Sequence, residues 1–416
     1  MILNLILGSL ALLSFALTLW QWLVARRFPL HQRVAERQSS PQPAVTLLKP
    51  LKGCDASTEA CLRSWFTQQY TGPTQILFGV AAADDAVCGI VRRLVQEFPA
   101  SDAQLVVGPP PPGANAKVAK LLELERLAKH DLLVISDADV LVPPDFLANI
   151  VVPLCQVPLS HPMGEGSGVR ACGLVCCFYR LANPVTLAMQ WEAIAINADF
   201  WSQVLQSRCL KPLDFALGAV MATRRQQLEE IGGFGPLVNC LADDYQLGNR
   251  IARRGHAIVL SPAVVECWSA PMDWTSVWRH QLRWARTIRV CQPAPYFFSL
   301  LSNATFWPLL WLIVRPGPAA LAAALFCCLV RILTAVDLQQ RLNQDPNPGG
   351  RESPRPPSPA PWRYAWLIPV KDLLQAALWL LAFLGNRIEW RGQHMRLLSD
   401  GTLEPLRALN SGRDLL

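Results

Sequence analysis

The sequence of 416 residues is poor in charge and lacks the motifs of several common enzyme classes. Charged residues make up 17% of the chain and hydrophobic residues 51%, which is too apolar for an ordinary soluble protein of this length. The sequence has no CxxC pair for zinc or redox chemistry, no GxxxxGK phosphate-binding loop and no Ser/His arrangement that suggests covalent catalysis. The net charge of +7 is too small and too dispersed for a nucleic-acid-binding protein. These features exclude a disordered chain and indicate a membrane protein.

The thirteen cysteines are scattered through apolar runs, as in Cys176-Cys177 and Cys327-Cys328. We interpret them as reduced core residues, because disulfides are rare in proteins that face the cytosol. The cysteine pattern therefore predicts that the folded part of the protein is cytosolic.

The first apolar run, residues 1–25, is long enough to cross a bilayer. A cleaved signal peptide is the alternative, but no basic stretch precedes the run and no small-residue cleavage site follows it. Arg26, Arg27, Arg33 and Arg37 come next, and basic residues favour the cytoplasmic side. We therefore expect an uncleaved transmembrane anchor whose downstream side is cytoplasmic.

Residues 43–291 alternate short apolar runs with polar helical stretches, a pattern typical of an α/β domain. The apolar character then returns. The remaining predicted segments are transmembrane or interfacial helices at 292–338, a Pro-rich linker at 339–361, a transmembrane helix at 362–386 and a basic C-terminal tail at 387–416. We expect a multi-pass integral membrane protein, in the inner membrane if the source is bacterial, with its α/β domain on the cytoplasmic face.

The number of membrane crossings after the α/β domain is ambiguous from the sequence. Three crossings would place the C-terminus outside, whereas arginines from Arg387 to Arg413 favour the cytoplasmic side. One solution is that a segment is re-entrant or interfacial, either 296–314 or the helix that carries Lys371 and Asp372. The other solution is that the basic tail is an exception to a statistical rule.

Two motifs follow predicted buried strands in the first part of the domain. Lys49 and Lys52 lie in the loop after a strand that begins at Val45, where ligands of open α/β sheets bind. They are candidate nucleotide contacts, and simple surface lysines are the alternative. Asp85 follows the strand predicted at 76–80 and either contacts a nucleotide or caps the next helix.

The most specific local signal is the pair Asp137 and Asp139, which leaves the buried strand that starts after Asp131. Two carboxylates at this spacing can share one divalent cation with a diphosphate, and Mg²⁺ or Mn²⁺ would neutralise the charge of a departing nucleoside diphosphate. A turn whose aspartates bond their own backbone is the alternative. Lys117 opens a helix after a Pro/Gly-rich loop, where it either reaches phosphates or stays solvated.

Asp243 and Asp244 open an amphipathic helix. They either satisfy the helix N-terminus or supply a general base that removes a proton from an attacking hydroxyl. His280, Arg283 and Trp284 stand at helical spacing beside the following apolar segment. The pattern fits an amphipathic helix on the membrane surface, a cation clamp for pyrophosphate, or both.

These motifs occur in one order between apolar segments at both ends of the chain, and together they resemble the ceramide glucosyltransferase family. The residues that carry the resemblance are Lys49 to Gly53, Asp84-Asp85, Asp137 and Asp139, Gly232 to Phe234, Asp243 to Tyr245, His280 with Arg283 and Trp284, and Trp390 to Leu397. The resemblance covers the chain from about Val45 to about Thr402. It implies a GT-A domain with one Rossmann-like sheet at the cytosolic membrane face, which makes a β-glycoside from an α-linked UDP-sugar by direct displacement.

The resemblance also implies roles for individual residues. In this interpretation Asp85 contacts the nucleotide, Asp137 and Asp139 bind the metal (Mg²⁺ or Mn²⁺) and the diphosphate, Asp244 is the base, and Arg283 with Trp284 holds pyrophosphate and acceptor. We add Lys49, Lys52 and Lys117 as contacts of the nucleotide sugar, and Asp243 and His280 as members of the acceptor or pyrophosphate site.

His280 departs from the family pattern, which has Gln or Arg at this position, and the departure leaves the acceptor open. The leading hypothesis is transfer of a hexose, glucose first, from a UDP-sugar to the hydroxyl of ceramide. A hopanoid N-acetylglucosaminyltransferase is the alternative, because similar bacterial relatives act on hopanoids. A processive polysaccharide synthase or a non-catalytic membrane scaffold is a more distant alternative, since a synthase needs more helices to line a polymer channel.

Overall fold

The computed structural model describes residues 1–33, 42–108, 113–155, 170–344, 360–390 and 393–406. Most of the predicted linker at 339–361 and the end of the predicted tail lie outside the described residues, as do Arg37, Arg391, Arg407 and Arg413.

The strands form because short apolar runs are interrupted by Gly, Pro and Asp. Strand β1, for example, is buried along its whole length, which is typical of a strand covered on both faces. The strands are β1 Val45–Pro50, β2 Thr74–Val80, β3 Asp102–Val107, β4 Leu132–Ser136, β5 Val140–Leu141, β6 Cys172–Leu181, β7 Val220–Arg224, β8 Ala257–Cys267, β9 Arg387–Trp390, β10 Gln393–Leu397 and β11 Leu403–Pro405.

Strands β1 to β8 form one mixed sheet in the order β3-β2-β1-β4-β7-β6-β8-β5. Strands β1 to β4 are parallel to each other, and β7 runs antiparallel to β4. The start of β7 therefore lies at the same edge of the sheet as the carboxyl ends of β1, β2 and β4. The predicted α/β fold is confirmed.

The helices cover both faces of this sheet and continue beyond it. They are α1 Ile2–Arg27, α2 Thr58–Phe66, α3 Val87–Glu97, α4 Ala116–Leu127, α5 Phe146–Cys155, α6 Leu187–Ile194, α7 Trp201–Leu210, α8 Arg225–Glu229, α9 Asp243–Arg253, α10 Trp274–Cys291, α11 Pro293–Phe298, α12 Phe306–Val314, α13 Pro318–Asn343 and α14 Leu367–Phe383. A π-helical segment, Ala195–Phe200, joins α6 to α7, so that 187–210 is a continuous helical rod.

Each face of the sheet has its own apolar core. One core packs β1, β2 and β4 against α2, α3 and α5, with Trp65 and Phe146 among its largest side chains. The other core packs the opposite face against α4 and α9 and extends to Ala25 of α1, Ala335 of α13 and Ile368 of α14. Because this second core is shared, the α/β domain and the apolar helices form one packed unit.

Two helices, α1 and α13, are long and apolar enough to cross a membrane. A third candidate is the pair formed by Pro293–Ser302 and Phe306–Val314, which is bent by 60°. Helix α14 has 17 residues and carries Lys371 and Asp372, both buried. The described part of the chain therefore has two candidate spans, or three if the bent pair is one span.

A buried ionic cluster joins α13 and α14 to the helical rod at 187–210. Arg331 of α13 binds both carboxylate oxygens of Asp199, at 2.8 and 2.9 Å, and its Nε binds Asp372 at 2.9 Å. Lys371 also binds Asp199. Thr305, at the bend between the two halves of the broken helix, donates to Asp372 at 2.7 Å. All four charged residues are less than 10% exposed, and their formal charges cancel.

Within the predicted C-terminal tail, the described residues form a three-stranded antiparallel sheet, β9 to β11, which the sequence analysis did not predict. This sheet contacts the α/β domain through Leu403, whose amide donates to Asn239 at 2.8 Å, and through a bridge between Thr402 and Cys240. Glu389 pairs with Arg279 of α10 at 3.0 Å. The C-terminal sheet is therefore on the same side of the molecule as the α/β domain.

All thirteen cysteines are free, in agreement with the absence of a predicted disulfide framework. Several are core residues as expected, among them Cys61, Cys176 and Cys177. Cys54, Cys155 and Cys209 are exposed instead, so the core interpretation holds for only part of the set.

Candidate active site

The candidate site lies at the edge of the sheet where β1 and β4 end and β7 begins. The turn after β4 carries Asp137 and Asp139, and the amide of Asp137 donates to the carbonyl of Ala219, directly before β7, at 3.2 Å. Asp137 is 38% exposed on its side chain and Asp139 is also exposed. Two carboxylates therefore leave the sheet together and remain accessible.

Lys49 is the residue whose observed position differs most from the sequence prediction. It belongs to β1 rather than to the loop after it, and it is 0% exposed. Its ammonium donates to the carbonyl oxygen of Asp137 at 2.5 Å and to Ser136 Oγ at 3.2 Å. Burial lowers the pKa of Lys49 to about 8, although the charges of nearby residues including Asp139 and Asp137 oppose the shift. Lys49 therefore fixes the aspartate turn from beneath and is too buried to be the predicted direct nucleotide contact.

Asp85 joins the loops that follow β1 and β2. Its two carboxylate oxygens accept from the amide of Gly53 at 2.9 and 3.0 Å, and one also accepts from Val87 at the start of α3. Gly53 has φ of +66°, a conformation that favours glycine. Lys52, the preceding residue, is exposed. Asp85 thus accepts from the first amide of α3, and the same carboxylate orders the loop that carries Lys52.

Lys117 connects the two acidic motifs. Its ammonium lies 2.8 Å from Asp137 Oδ1 and 2.9 Å from Asp243 Oδ2, and its side chain is 13% exposed. Asn115 caps α4 by accepting from two amides of its first turn, and its amide group donates to the carbonyl of Cys240. Burial alone would lower the pKa of Lys117, but the surrounding carboxylates raise it above its usual range. The solvated alternative for Lys117 is therefore wrong.

Asp244 lies next to Asp243 in the first turn of α9 and faces Gly218 in the segment before β7. A Cβ atom at Gly218 would lie 2.6 Å from Asp244 Oδ2, so only glycine leaves room for this carboxylate. Desolvation and the charge of Asp243 raise the pKa of Asp244 to about 6, with Lys117 opposing the shift. The carboxyl is thus poised to accept a proton near neutral pH.

The pair Asp137 and Asp139 has the donor chemistry that a hard divalent cation requires. Desolvation by the surrounding protein and the charge of Asp137 raise the pKa of Asp139 to about 6, even though its surface remains partly exposed. Crowded carboxylates of this kind gain from a bound cation. Within the described ranges no group of three or more His, Cys, Asp or Glu side chains converges on one point. The described residues therefore offer two adjacent carboxylates at this turn.

The motif of α10 lies beside a buried acid that the sequence analysis did not identify. His280 Nδ1 lies 2.7 Å from Oε1 of Glu192, a residue of α6 that is 1% exposed. The His280 ring contacts the edge of Trp284 at 4.7 Å between centroids, and Trp284 contacts Phe200 at 6.2 Å. Arg283 is half-buried on the same helix.

Tyr179 of β6 is near both the acidic residues at the edge of the sheet and the residues around α10. Its ring contacts Phe200 at 5.4 Å between centroids. Burial and, to a smaller degree, the charges of neighbours that include Asp244, Asp137 and Glu192 raise the pKa of Tyr179 well above its usual value. The phenol is therefore within electrostatic reach of both the acidic edge and the residues around α10.

The structure thus brings Asp137, Lys117 and Asp243 into direct contact and places Asp139 and Asp244 beside them. His280 and Trp284 form a second group at α10, and Asp85 with Lys52 a third at the ends of β1 and β2. Sequence reasoning missed Glu192 and Tyr179, because their partners are distant in the chain and no local motif marks them. The cap formed by Asn115 could have been found, since Asn directly before a helical stretch is a common N-cap.

The mixed sheet and the acidic turn at its edge define the GT-A glycosyltransferase class. The chain belongs to glycosyl transferase family 21, whose sequence model matches residues 6–403. The fold is similar to that of the mannosyltransferase PcManGT from Pyrobaculum calidifontis, solved with GDP-Man and Mn²⁺. The two chains are 20% identical with a TM-score of 0.50, and the match covers 91% of this chain and 99% of that one.

Ceramide glucosyltransferases are among the curated relatives. The chain is 25% identical to ceramide glucosyltransferase 3 of Caenorhabditis elegans over 237 residues, which are 56% of this chain and 48% of the relative. It is 31% identical to ceramide glucosyltransferase of Komagataella phaffii over 148 residues, 32% of this chain and 29% of the relative. The chain thus spans at most about half the length of these curated relatives. The predicted resemblance to the ceramide glucosyltransferase family is confirmed.

Proposed function

We propose that the protein is an inverting glycosyltransferase that moves a hexose, glucose first, from a UDP-sugar to the hydroxyl of a membrane lipid. The observation that carries this proposal is the contact of Lys117 with both Asp137 and Asp243. It brings the predicted diphosphate-binding turn and the predicted base motif within the reach of one ammonium group. Donor and acceptor chemistry would then meet at one edge of the sheet.

In this proposal Asp244 removes the proton of the lipid hydroxyl as that oxygen attacks the anomeric carbon. A pKa of about 6 leaves the carboxylate mostly ionised at neutral pH, yet basic enough to take a proton. The sugar–phosphate bond breaks on the opposite side, which converts an α-linked donor into a β-glycoside. Lys117 supplies positive charge next to Asp137, where the departing diphosphate would lie.

Asp137 and Asp139 would hold Mg²⁺ or Mn²⁺. When bound, such a cation supplies charge neutralisation for the leaving diphosphate. Lys49 keeps the turn in place through the carbonyl of Asp137. Asp85 and Lys52 would contact the nucleotide at the ends of β1 and β2, and Arg283 and Trp284 would contact the pyrophosphate and the acceptor.

Ceramide is the acceptor we propose first, because the curated relatives are named ceramide glucosyltransferases. A hopanoid that receives N-acetylglucosamine is the second candidate, since His280 replaces the Gln or Arg expected at this position of the motif. Both acceptors present a hydroxyl on an apolar body, which suits a site beside α10 and the apolar helices.

We further propose that the chain crosses the membrane three times, by α1, by the bent pair Pro293–Val314 and by α13. Trp311 near the end of α12 donates to Asn4 at the start of α1, and Trp22 near the end of α1 donates to Asp337 of α13. These contacts make α12 antiparallel and α13 parallel to α1. Helix α14 packs instead against α10 through Leu378, which supports an interfacial position.

The proposal is tested with the purified full chain in lipid nanodiscs. UDP-glucose and UDP-N-acetylglucosamine, each radiolabelled, are offered with ceramide or hopanoid separately, and the anomeric configuration of the product is read by NMR. We expect a β-glucosyl lipid, loss of transfer in excess chelator and recovery with Mn²⁺ or Mg²⁺. No transfer from any donor to any lipid would contradict the function, and an α-linked product would contradict inversion.

Asp244→Asn is the matching variant. We expect kcat to fall by at least about 100-fold while the affinity for the UDP-sugar changes little, because a general base acts in the transition state. The control is Asp131→Asn, which changes an exposed aspartate at the opposite end of β4. Full activity of Asp244→Asn would show that this residue is not the base.

A further inference from the structure

Glu192 is a buried acid that the proposed chemistry does not yet use. It lies on α6, which carries it beneath α10, and its side chain is 1% exposed. A single oxygen, Oε1, accepts from Gln281 Nε2 at 2.9 Å and lies 2.7 Å from His280 Nδ1. Burying a carboxylate costs free energy unless the carboxylate accepts hydrogen bonds. The two contacts of Oε1 offset part of this cost.

The contact determines which nitrogen of His280 carries the proton. A carboxylate oxygen only accepts hydrogen bonds, so Nδ1 carries the proton in the bond to Glu192. The other nitrogen, Nε2, is then available as an acceptor when the ring is neutral. The His280 side chain is 29% exposed, whereas Glu192 is enclosed, so the exposed part of the pair is the imidazole.

The surroundings of the pair restrict its orientation. Trp191, next to Glu192, is fully buried and stacks with Trp278 of α10 at 6.4 Å between centroids. On the other side, aromatic contacts lead from His280 through Trp284 and Phe200 to Tyr179. Helix α6 is therefore locked against α10, and the imidazole has little freedom to turn.

We propose that Glu192 is a positioning residue of the transfer reaction, which holds His280 so that Nε2 accepts a hydrogen bond from the hydroxyl of the acceptor lipid. The inference rests on the proposed function, because it assigns a role toward the acceptor. It explains how a histidine can occupy a position where the family pattern has Gln or Arg: a second residue fixes its proton. His280 would contact the acceptor, and Glu192 acts only through His280.

The first test is independent of activity. The chain has six histidines, so ¹⁵N-histidine labelling of the full protein in nanodiscs gives a small set of signals, and His280→Gln assigns the one of interest. At a pH that leaves the ring neutral, we expect His280 to carry its proton on Nδ1, and we expect this preference to weaken in Glu192→Gln, because the neutral amide can donate as well as accept. A proton on Nε2 in the unmodified protein would overturn the proposal.

The second test is kinetic and uses a double-mutant cycle. We expect Glu192→Gln to raise the KM for the acceptor about tenfold with less than about twofold change in the KM for the UDP-sugar, because only the acceptor contact is disturbed. In a His280→Gln background the same change should have less than about a twofold effect. An equal effect in both backgrounds, or equal changes in both KM values, would show a merely structural role.

Glu230→Gln is the matched control, because Glu230 makes a similar contact with His256 at 2.6 Å on another surface of the domain. It should alter neither KM. If Glu192→Gln unfolds, Glu192→Asp takes its place, because it keeps the carboxylate. Glu192→Asp should raise the KM for the acceptor more when His280 is present than in the His280→Gln background. Absence of any transfer by the unmodified protein would contradict the proposed function, while the NMR result would still decide whether Glu192 fixes His280.

Discussion

At the scale of single residues, the environment of Asp244 opposes its ionised form. The carboxyl is desolvated and lies next to Asp243, and these two effects raise its pKa to about 6 from an ordinary value near 3.8. Lys117 limits the shift but binds Asp137 and Asp243 directly. The site therefore holds a group that changes charge between pH 5 and 7, which is the range that a general base requires.

The pKa of Asp244 predicts the pH dependence of transfer. Since the base must be ionised, kcat/KM should fall as the pH drops through about 6, at saturating metal so that Asp139 stays ionised. Asp243→Asn removes a neighbouring negative charge and should move this limb to lower pH. The measurement is a pH profile of kcat/KM for both proteins, with Asp131→Asn as the control. If the acidic limb of the kcat/KM profile stays at the same pH in Asp243→Asn, Asp243 is not the charge that raises the pKa of Asp244.

The acidic residues could be found from the sequence because each follows a recognisable signal. Asp137 and Asp139 follow a buried apolar run, and Asp243 and Asp244 open a helical pattern. The position of Lys49 could not be predicted. The sequence around a lysine near the end of a strand does not show whether its side chain is exposed or buried under the following turn. Glu192 could not be found either, because its partner His280 is 88 residues away.

At the scale of elements, the rod at 187–210 connects the α10 motif of the candidate site with the apolar helices. Near one end Glu192 contacts α10, and seven positions later Asp199 contacts α13 and α14. The π-helical segment that contains Asp199 widens one turn of the rod, and such segments are frequent at functional sites. The rod thus supports the α10 motif on one side and the ionic cluster on the other.

The ionic cluster predicts an unusual pattern of stability. Arg331→Met leaves Asp199 and Asp372 with only Lys371, so a buried negative charge is uncompensated and the protein should lose about 3–5 kcal/mol. Arg331→Met combined with Asp372→Asn leaves the neutral pair Asp199 and Lys371 and should regain most of that loss. Thermal unfolding in one detergent measures both variants. A double variant no more stable than the single one would contradict charge balance as the reason for the cluster.

At the scale of the whole molecule, the described C-terminal sheet lies on the same side as the α/β domain. In the proposed topology α14 is not a crossing, and the parity conflict of the sequence then disappears. Its residues are apolar enough to suggest one, but Lys371 and Asp372 are buried in protein and Leu378 packs against α10 and β6. Hydropathy cannot separate a helix that is buried in protein from one that is buried in lipid.

The proposed topology predicts where tags are accessible. In sealed vesicles with the catalytic side outward, a protease site inserted between Gly401 and Thr402 should be cleaved, and one inserted between Arg315 and Pro316 should be protected. The second site lies in the turn between α12 and α13, on the proposed opposite face. Detergent should make both sites accessible, which serves as the control. Cleavage of the 315 site in sealed vesicles would favour a re-entrant bent pair over a crossing.

The overall α/β architecture was predictable because buried strands and amphipathic helices have different periods in the sequence. The shared core was not, since contacts such as Ala25 and Ala335 with the sheet depend on packing between distant segments. The small sheet β9 to β11 was also missed, because its short strands carry charged residues such as Arg387, Glu389 and Arg396 and resemble a polar tail.

The ionic cluster has a consequence for how the protein is made. Asp199 is synthesised 132 residues before Arg331 and 172 residues before Lys371. Until the ribosome has passed Arg331, the rod carries Asp199 without a counterion. Packing this acid among the apolar helices would then cost free energy. We therefore expect the α/β domain to pack onto the apolar helices only after α13, which carries Arg331, is in place. A chain that terminates before Arg331 would present an unpaired acidic rod to the quality-control machinery of the membrane.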